Sequence, residues 1–284
     1  MTPKIRRAAV AAMLLLSGLA LAAAPPEARR YSWLDKYDEA ESIAVRSPPP
    51  AGYARTEAAA GTFEDWLRNL PLKKGTPPVH LYNGQPTANQ DAHAAVVDID
   101  VGTKDLQQCA DSVIRLRAEY LYAIGQHEAI HFNFTSGDRA DFPKWAEGFR
   151  PVVKGSAVTW ARGRPSGTGY ASFRAYLDTV FAYAGTVSLA GELHKVAKVE
   201  EMRIGDLFIH AGSPGHAVIV ADMAVDARTG KKVFLLVQGF MPAQEMHVLK
   251  NPTNTAISPW YELDFGESLR TPQWVFPRKE LMRF

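Results

Sequence analysis

Ile204-Gly205-Asp206-Leu207-Phe208-Ile209 and Pro214-Gly215-His216-Ala217-Val218-Ile219-Val220 stand four residues apart, either side of a Gly/Pro loop. A Gly-Asp turn opens the first apolar run and a histidine opens the second. Runs of this length, bounded by Gly and Pro, read as paired β-strands. Two more follow. Lys232 to Gln238 and Met246 to Leu249 complete a set of four with Leu207 to Ile209 and His216 to Met223, and Asp226-Ala227-Arg228-Thr229-Gly230 turns the middle pair. The C-terminal third is therefore an antiparallel meander.

Upstream, the period changes. Leu106, Cys109, Val113, Leu116, Tyr120 and Ile124 recur every three or four residues, which predicts a helix that Gly125 stops. Phe173, Tyr176, Leu177, Val180 and Phe181 mark a second helical zone from Ser172 to about Val199, interrupted at Ala184-Gly185-Thr186. Thr62 is placed to cap a short helix that Pro71 ends. Val79-His80-Leu81-Tyr82 before Asn83-Gly84, Ala94 to Val101, and the alternation Ile130, Phe132, Phe134 predict further strands. Helices first and a meander last define an α+β layout.

The 284 residues are 46% hydrophobic and 22% charged, the balance of a globular protein. The formal charge is +2, but Lys4, Arg6 and Arg7 at the start supply three of the 32 cations, leaving 29 against 30 carboxylates. A near-neutral body offers no field for nucleic acid. Residues 1–22 read as a secretory signal: a basic start, an apolar stretch from Ala8 to Ala20, and Ala20-Leu21-Ala22 for cleavage. No later run approaches the ~18–20 apolar residues of a membrane span. Residues 23–60, with Ser47-Pro48-Pro49-Pro50, read as a flexible leader, and 61–284 as one domain. A periplasmic location is expected.

The only cysteine is Cys109, so no internal disulfide forms. It reads either as a buried core thiol on the apolar stripe or as a nucleophile. With a helix start at Thr103 or Lys104 it lies more than a turn inside, where the dipole gives little help. His216 at a strand start is a rigidly mounted candidate base. With the turn centred near Ala227, residue 216 falls opposite 238, and opposed residues share a face, so Gln238 is the expected partner of the imidazole. Asp222 and His247 are weaker candidates. His127-Glu128-Ala129-Ile130-His131 matches H-E-x-x-H, a zinc pattern that requires a helix. Gly125 before it and the alternation after it oppose one, and on a strand the two rings stand roughly 13 Å apart. Asp141 and Glu147 are the only third ligands in view. Asp98 and Asp100 share one strand face and read as solvated carboxylates. No phosphate loop or dinucleotide fingerprint is present, so no cofactor is expected.

The Gly-Asp strand and the Pro-Gly-His strand resemble the histidine half of papain-like hydrolases of the NlpC/P60 and CHAP families. That resemblance implies a papain-like core in which His216 is general base and a polar third residue, here Gln238, orients it. It also implies a nucleophile on a helix, for which Cys109 is the only thiol. Such domains carry that helix shortly before the histidine strand, where Thr186 and Ser188 stand instead, which implies a binding module without catalysis as an alternative. Longer segments, including Leu81-Tyr82-Asn83-Gly84, Gln108-Cys109-Ala110-Asp111, Phe132-Asn133-Phe134-Thr135-Ser136-Gly137 and Ser258-Pro259-Trp260-Tyr261, resemble the exported bacterial family known as domain of unknown function 4846 over about residues 60–284.

The expectation is an exported papain-like protein of the cell envelope, a thiol amidase or peptidase acting on peptidoglycan peptides or a similar envelope amide. Cys109 would attack, His216 would take its proton, and Gln238 would orient the ring or help form the oxyanion hole. A non-catalytic envelope-binding protein and a zinc metallopeptidase through His127 and His131 are the alternatives.

Overall fold

The structure is a computed structural model that describes residues 29–284. The signal expected at 1–22 and the first leader residues lie outside the described residues.

Nine strands form one antiparallel sheet: β1 (Tyr53–Arg55), β2 (His93–Val96), β3 (His194–Lys195), β4 (Leu207–His210), β5 (His216–Asp226), β6 (Lys232–Gln238), β7 (His247–Leu249), β8 (Tyr261–Glu262) and β9 (Leu281–Arg283). Their order is β2-β7-β6-β5-β4-β9-β3, with β1 added to β5 and β8 to β6. The four strands expected from 207 to 249 are its centre. Their near-continuous apolar runs are explained by burial on both faces: Ala217 to Val220 and Val233 to Val237 are all within 1% of full burial. Each such Val or Leu contributes roughly 1.5–3 kcal/mol by leaving water.

The helix α1 (Cys109–Ala123) packs across β5 through Val113, Ile114, Leu116 and Ala118. Helix α2 (Tyr170–Tyr183) buries Phe173, Tyr176, Leu177 and Val180, and α3 (Thr186–Glu192) follows after the expected break. Arg115 is wholly buried on α1, where Glu119, Gln107 and Tyr170 take its donors. It also reaches Asp100, which Arg174 approaches from the other side, so Asp100 is an ion-pair partner of two arginines. The short helix expected after Thr62 forms at Phe63–Arg68 with the Thr62 hydroxyl as its cap.

Three expectations are corrected. The leader is not free from Tyr31 onward. Tyr31 and Ile43 are buried, Trp33 and Tyr37 pack against the core, and β1 pairs β5. The Pro-rich composition hid aromatic anchors that dock on Trp66. Val79 to Tyr82 makes only isolated bridges, His80 to Pro86 and Leu81 to Gln244. The principal helix begins at Cys109 rather than 103 or 104, because Gln108 caps it: the Asp111 carboxylate accepts the Gln108 N–H at 3.1 Å, a capping box.

The β5–β6 register also differs. Phe234 lies opposite Met223 and Leu235 opposite Asp222, but a bulge at Ala221 follows, so Leu236 pairs Val220 and Val237 pairs Ile219. The hairpin turn alone would set Gln238 opposite Ile219, on the face away from His216. The bulge adds one residue to β5 and restores the face. Gln238 thus stands diagonally from His216 rather than directly across.

Candidate functional site

His216 opens β5 and Cys109 opens α1, and the sheet–helix packing brings these two starts together. Cys109 Sγ lies 4.0 Å from the Gly215 carbonyl oxygen, and the Ala217 N–H reaches the sulfur from the other side of His216. Tight packing at a glycine permits this approach. A Cβ on Gly239, at the end of β6, would stand 2.1 Å from Ser112 Oγ and 3.0 Å from the Gln108 carbonyl oxygen. The helix start therefore rests directly on the sheet.

His216 Nε2 lies 2.8 Å from Gln238 Oε1. Gln238 Nε2 in turn faces His247 Nε2 at 3.2 Å and Gln273 Oε1 at 2.6 Å. One fixed acceptor settles the direction of this chain. His247 Nδ1 is 2.9 Å from the Glu245 carbonyl oxygen, which can only accept, so Nδ1 carries the proton. Burial holds His247 near pKa 4, so its Nε2 keeps a lone pair at neutral pH and accepts from the Gln238 amide. Gln238 must then present its oxygen to His216. His216 donates from Nε2, and its Nδ1 keeps the lone pair that a general base needs. Nδ1 makes no hydrogen bond among the described residues.

The imidazole stands in an apolar sleeve. Phe240, Trp274 and Phe276 lie 4.9, 5.3 and 5.6 Å from its centroid. Burial lowers His216 to about 4, against a smaller raising effect of Gln238. The Cys109 thiol is likewise pushed up by burial, which outweighs the N–H groups of Ala110, Ala217 and Cys109 itself. Both groups rest neutral at pH 7.

The thiol opens onto a cleft of about 340 Å³ whose walls include Gln108, Asp111, Gly185, Thr186, Pro214 and Gly215. Asp111 is nearly buried, its Oδ1 has no hydrogen-bond partner, and desolvation raises it to about 8. Of the site residues expected from sequence, His216, Gln238 and the weaker candidate His247 form one hydrogen-bonded chain, and Cys109 lies against the backbone that flanks His216. Asp222 is not among them. It is fully buried between Arg55 Nε and Arg68 Nε at 2.6 Å each. Thr186 starts α3 on the far wall, its hydroxyl donating to the Gly212 carbonyl at 3.2 Å and accepting the Gly212 N–H at 3.3 Å. Ser188 Oγ caps that same helix start, accepting the Gly185 N–H.

The H-E-x-x-H residues do not share a helix face. His127 to Ala129 form a 3-10 turn, and His131 begins a strand over His131–Asn133. His127 stacks on Tyr122, while His131 lies 3.6 Å from Glu192. Among the described residues no group of three His, Cys, Asp or Glu is placed to hold a metal ion.

Sequence reasoning missed Gln273, Asp111 and the aromatic sleeve. Gln273-Trp274-Val275-Phe276 carries no periodic signal, and with a helix start expected at 103 or 104 Asp111 falls inside the helix, with nothing to mark it as buried. A Gln-x-x-Asp pair at 108 and 111 was the one available sign that the helix starts at Cys109.

The fold and site define an α+β protein in which a histidine–amide chain stands on an antiparallel sheet and a helix-start cysteine touches the backbone beside its histidine. By its family match over residues 43–283, the chain belongs to the family described as domain of unknown function (4846). No curated protein matches it, and no solved structure does.

Proposed function

We propose that the protein is an exported thiol hydrolase with a papain-like core, cleaving an amide bond in peptidoglycan peptides or a similar envelope substrate. The observation that carries this reading is the one-way hydrogen-bond chain from Glu245 through His247 and Gln238. It leaves His216 neutral with a free Nδ1 lone pair beside the Cys109 helix start.

In this mechanism His216 Nδ1 takes the thiol proton as Sγ attacks the scissile carbonyl carbon. The negative charge that develops on the carbonyl oxygen meets the unpaired N–H groups at the start of α1, Cys109 and Ala110, aided by the helix dipole. The imidazolium then protonates the leaving amine. Water, deprotonated by the same nitrogen, hydrolyses the thioester and releases the acid. Gln238 orients the ring and is not an oxyanion donor, since both its amide hydrogens are engaged by His247 and Gln273. Neutral resting groups make the imidazole a true general base rather than half of a standing ion pair.

The test is release of new amines and carboxylates from purified sacculi and from muropeptides, followed by mass spectrometry. Wild type is expected to cleave, with Cys109→Ala and His216→Ala inactive yet folded. Undiminished cleavage in either variant, or retention on sacculi by all three proteins without cleavage, overturns the reading. The latter result favours the binding module built around Thr186.

A further inference from the structure

A second cavity, about 570 Å³ and larger than the thiol cleft, lies toward the other end of the same two helices. Leu121 of α1, Leu189 of α3, Phe132 and Phe284 supply its apolar wall. Arg117 of α1 stands on it eight residues from Cys109, about 12 Å along the helix. The thiol cleft shares none of its residues.

Arg117 is the unusual member. Its guanidinium lies over the rings of Phe63 and Phe284, at 5.1 and 5.3 Å, and makes no ion pair or hydrogen bond among the described residues. Burial acts against its charge, and Tyr120 and the Glu64 carboxylate, neither paired with it, offset that only in part. The other cation, Arg139, is tied to Asp141 at 2.6 Å. Glu192, also on the lining, accepts the Asn133 N–H at 2.6 Å, and burial raises its pKa. His131 Nδ1 is buried without a hydrogen-bond partner, and burial lowers that ring so that it stays neutral. Two members of the H-E-x-x-H segment, Glu128 and His131, thus line a cavity rather than a metal site.

A half-open cavity with an apolar wall and one guanidinium free of any ion pair among the described residues suits one ligand chemistry. A planar carboxylate matches the guanidinium fork bidentately, and an apolar body fills the remainder. We propose that this cavity binds a small organic carboxylate with an apolar body, at a site separate from the thiol cleft. Arg117 takes the carboxylate, and Leu121, Leu189 and Phe132 hold the body.

The experiment is calorimetric titration of the purified protein with hydrocinnamate, phenethylamine and 3-phenylpropanol, which differ only in the polar end. Hydrocinnamate is expected to bind, and the other two to bind at least tenfold more weakly. Arg117→Gln is expected to weaken hydrocinnamate at least tenfold, and Cys109→Ala to leave it unchanged. Because Arg117 packs on aromatic rings, Ala129→Trp is the second variant. Ala129 is an exposed residue on the wall, so a tryptophan there blocks the cavity without disturbing the core. No hydrocinnamate binding at millimolar concentration, equal binding of the amine or alcohol, or binding indifferent to both variants overturns the proposal. Loss of binding in Cys109→Ala overturns it too, by assigning the ligand to the thiol cleft.

Discussion

His216 Nε2 and Gln238 Oε1 are 2.8 Å apart although the strand register sets Gln238 beside Val218. The bond runs along the diagonal of an antiparallel pair, a reach that a long amide spans readily. The bulge at Ala221 makes it possible, and a hairpin without the bulge turns Gln238 to the other face of the sheet.

Removing His247 tests the direction of the chain. In His247→Ala the Gln238 amide loses one of two acceptors and is free to flip, presenting N–H to a ring nitrogen that already carries a proton. The orienting bond is worth about 1 kcal/mol, so Cys109 alkylation by a weak electrophile is expected to slow roughly fivefold at pH 7.5. Gln238→Ala is expected to slow it at least as much. An unchanged rate in both variants removes the orienting role.

Cys109 labelling against pH reports the resting protonation state. Burial holds the thiol up, so iodoacetamide is expected to react slowly at pH 7 and faster as pH rises past the ordinary thiol range. His216→Ala is expected to lower the rate at neutral pH while converging with wild type at high pH. Fast labelling below pH 7 contradicts the neutral pair.

Asp111→Asn separates a cap from a buried charge. The Asp111 carboxyl is raised to about 8, above its unfolded value near 4, so the unfolded state loses its proton first and stability falls as pH rises from about 4 to 8. Asparagine retains an acceptor for the Gln108 N–H and cannot ionise. Chemical denaturation should show the variant gaining about 1–3 kcal/mol on wild type between pH 4 and pH 9. A pH-independent difference sinks this assignment.

The histidines act with the opposite sign. His216 and His247 are both depressed to about 4, below the unfolded value near 6.5. Their contribution is present above pH 6.5 and is lost as pH falls toward 4, because the unfolded chain takes up protons first. His247→Gln is expected to flatten that acid limb by about 1–3 kcal/mol in urea titrations. A limb equally steep in the variant assigns the acid loss elsewhere.

Gly239→Ala tests the helix seat. Its Cβ would collide with Ser112 Oγ and press on the Gln108 carbonyl, moving the start of α1 off the sheet. The expected cost is about 1–3 kcal/mol, together with a changed Cys109 labelling rate. Wild-type stability and labelling would show the seat to be loose.

Much of the site was legible because it lies on strongly patterned elements. The apolar runs from Leu207 to Leu249 specify the central strands, and a histidine at a strand start with a glutamine at the end of the next is visible in the chain. Side-chain parity repeats every two residues, so a turn centred near Ala227 sets Gln238 on the His216 face although the true register differs by two. Cys109 was harder. Leu106 extends the helical period backward past the true start at Cys109, and only the Gln108–Asp111 cap marks where the backbone begins to coil. The docking of the leader is not legible in composition, which counts prolines and does not register that Tyr31 and Ile43 have a surface to pack on.

The sequence by itself determined the four central strands, the two principal helices, their α+β order and the identity of the one thiol, since local periodicity and residue chemistry need no distant partner. Tertiary structure alone decided that Cys109 meets the two neighbours of His216, 107 positions along the chain, and that Asp222 is held by arginines instead. It also decided the tautomer of His216, which follows from a carbonyl at Glu245 acting through His247 and Gln238. Those relationships depend on a bulge and a glycine contact that join elements far apart in sequence. Close packing, not local propensity, selects among the registers each element would accept alone.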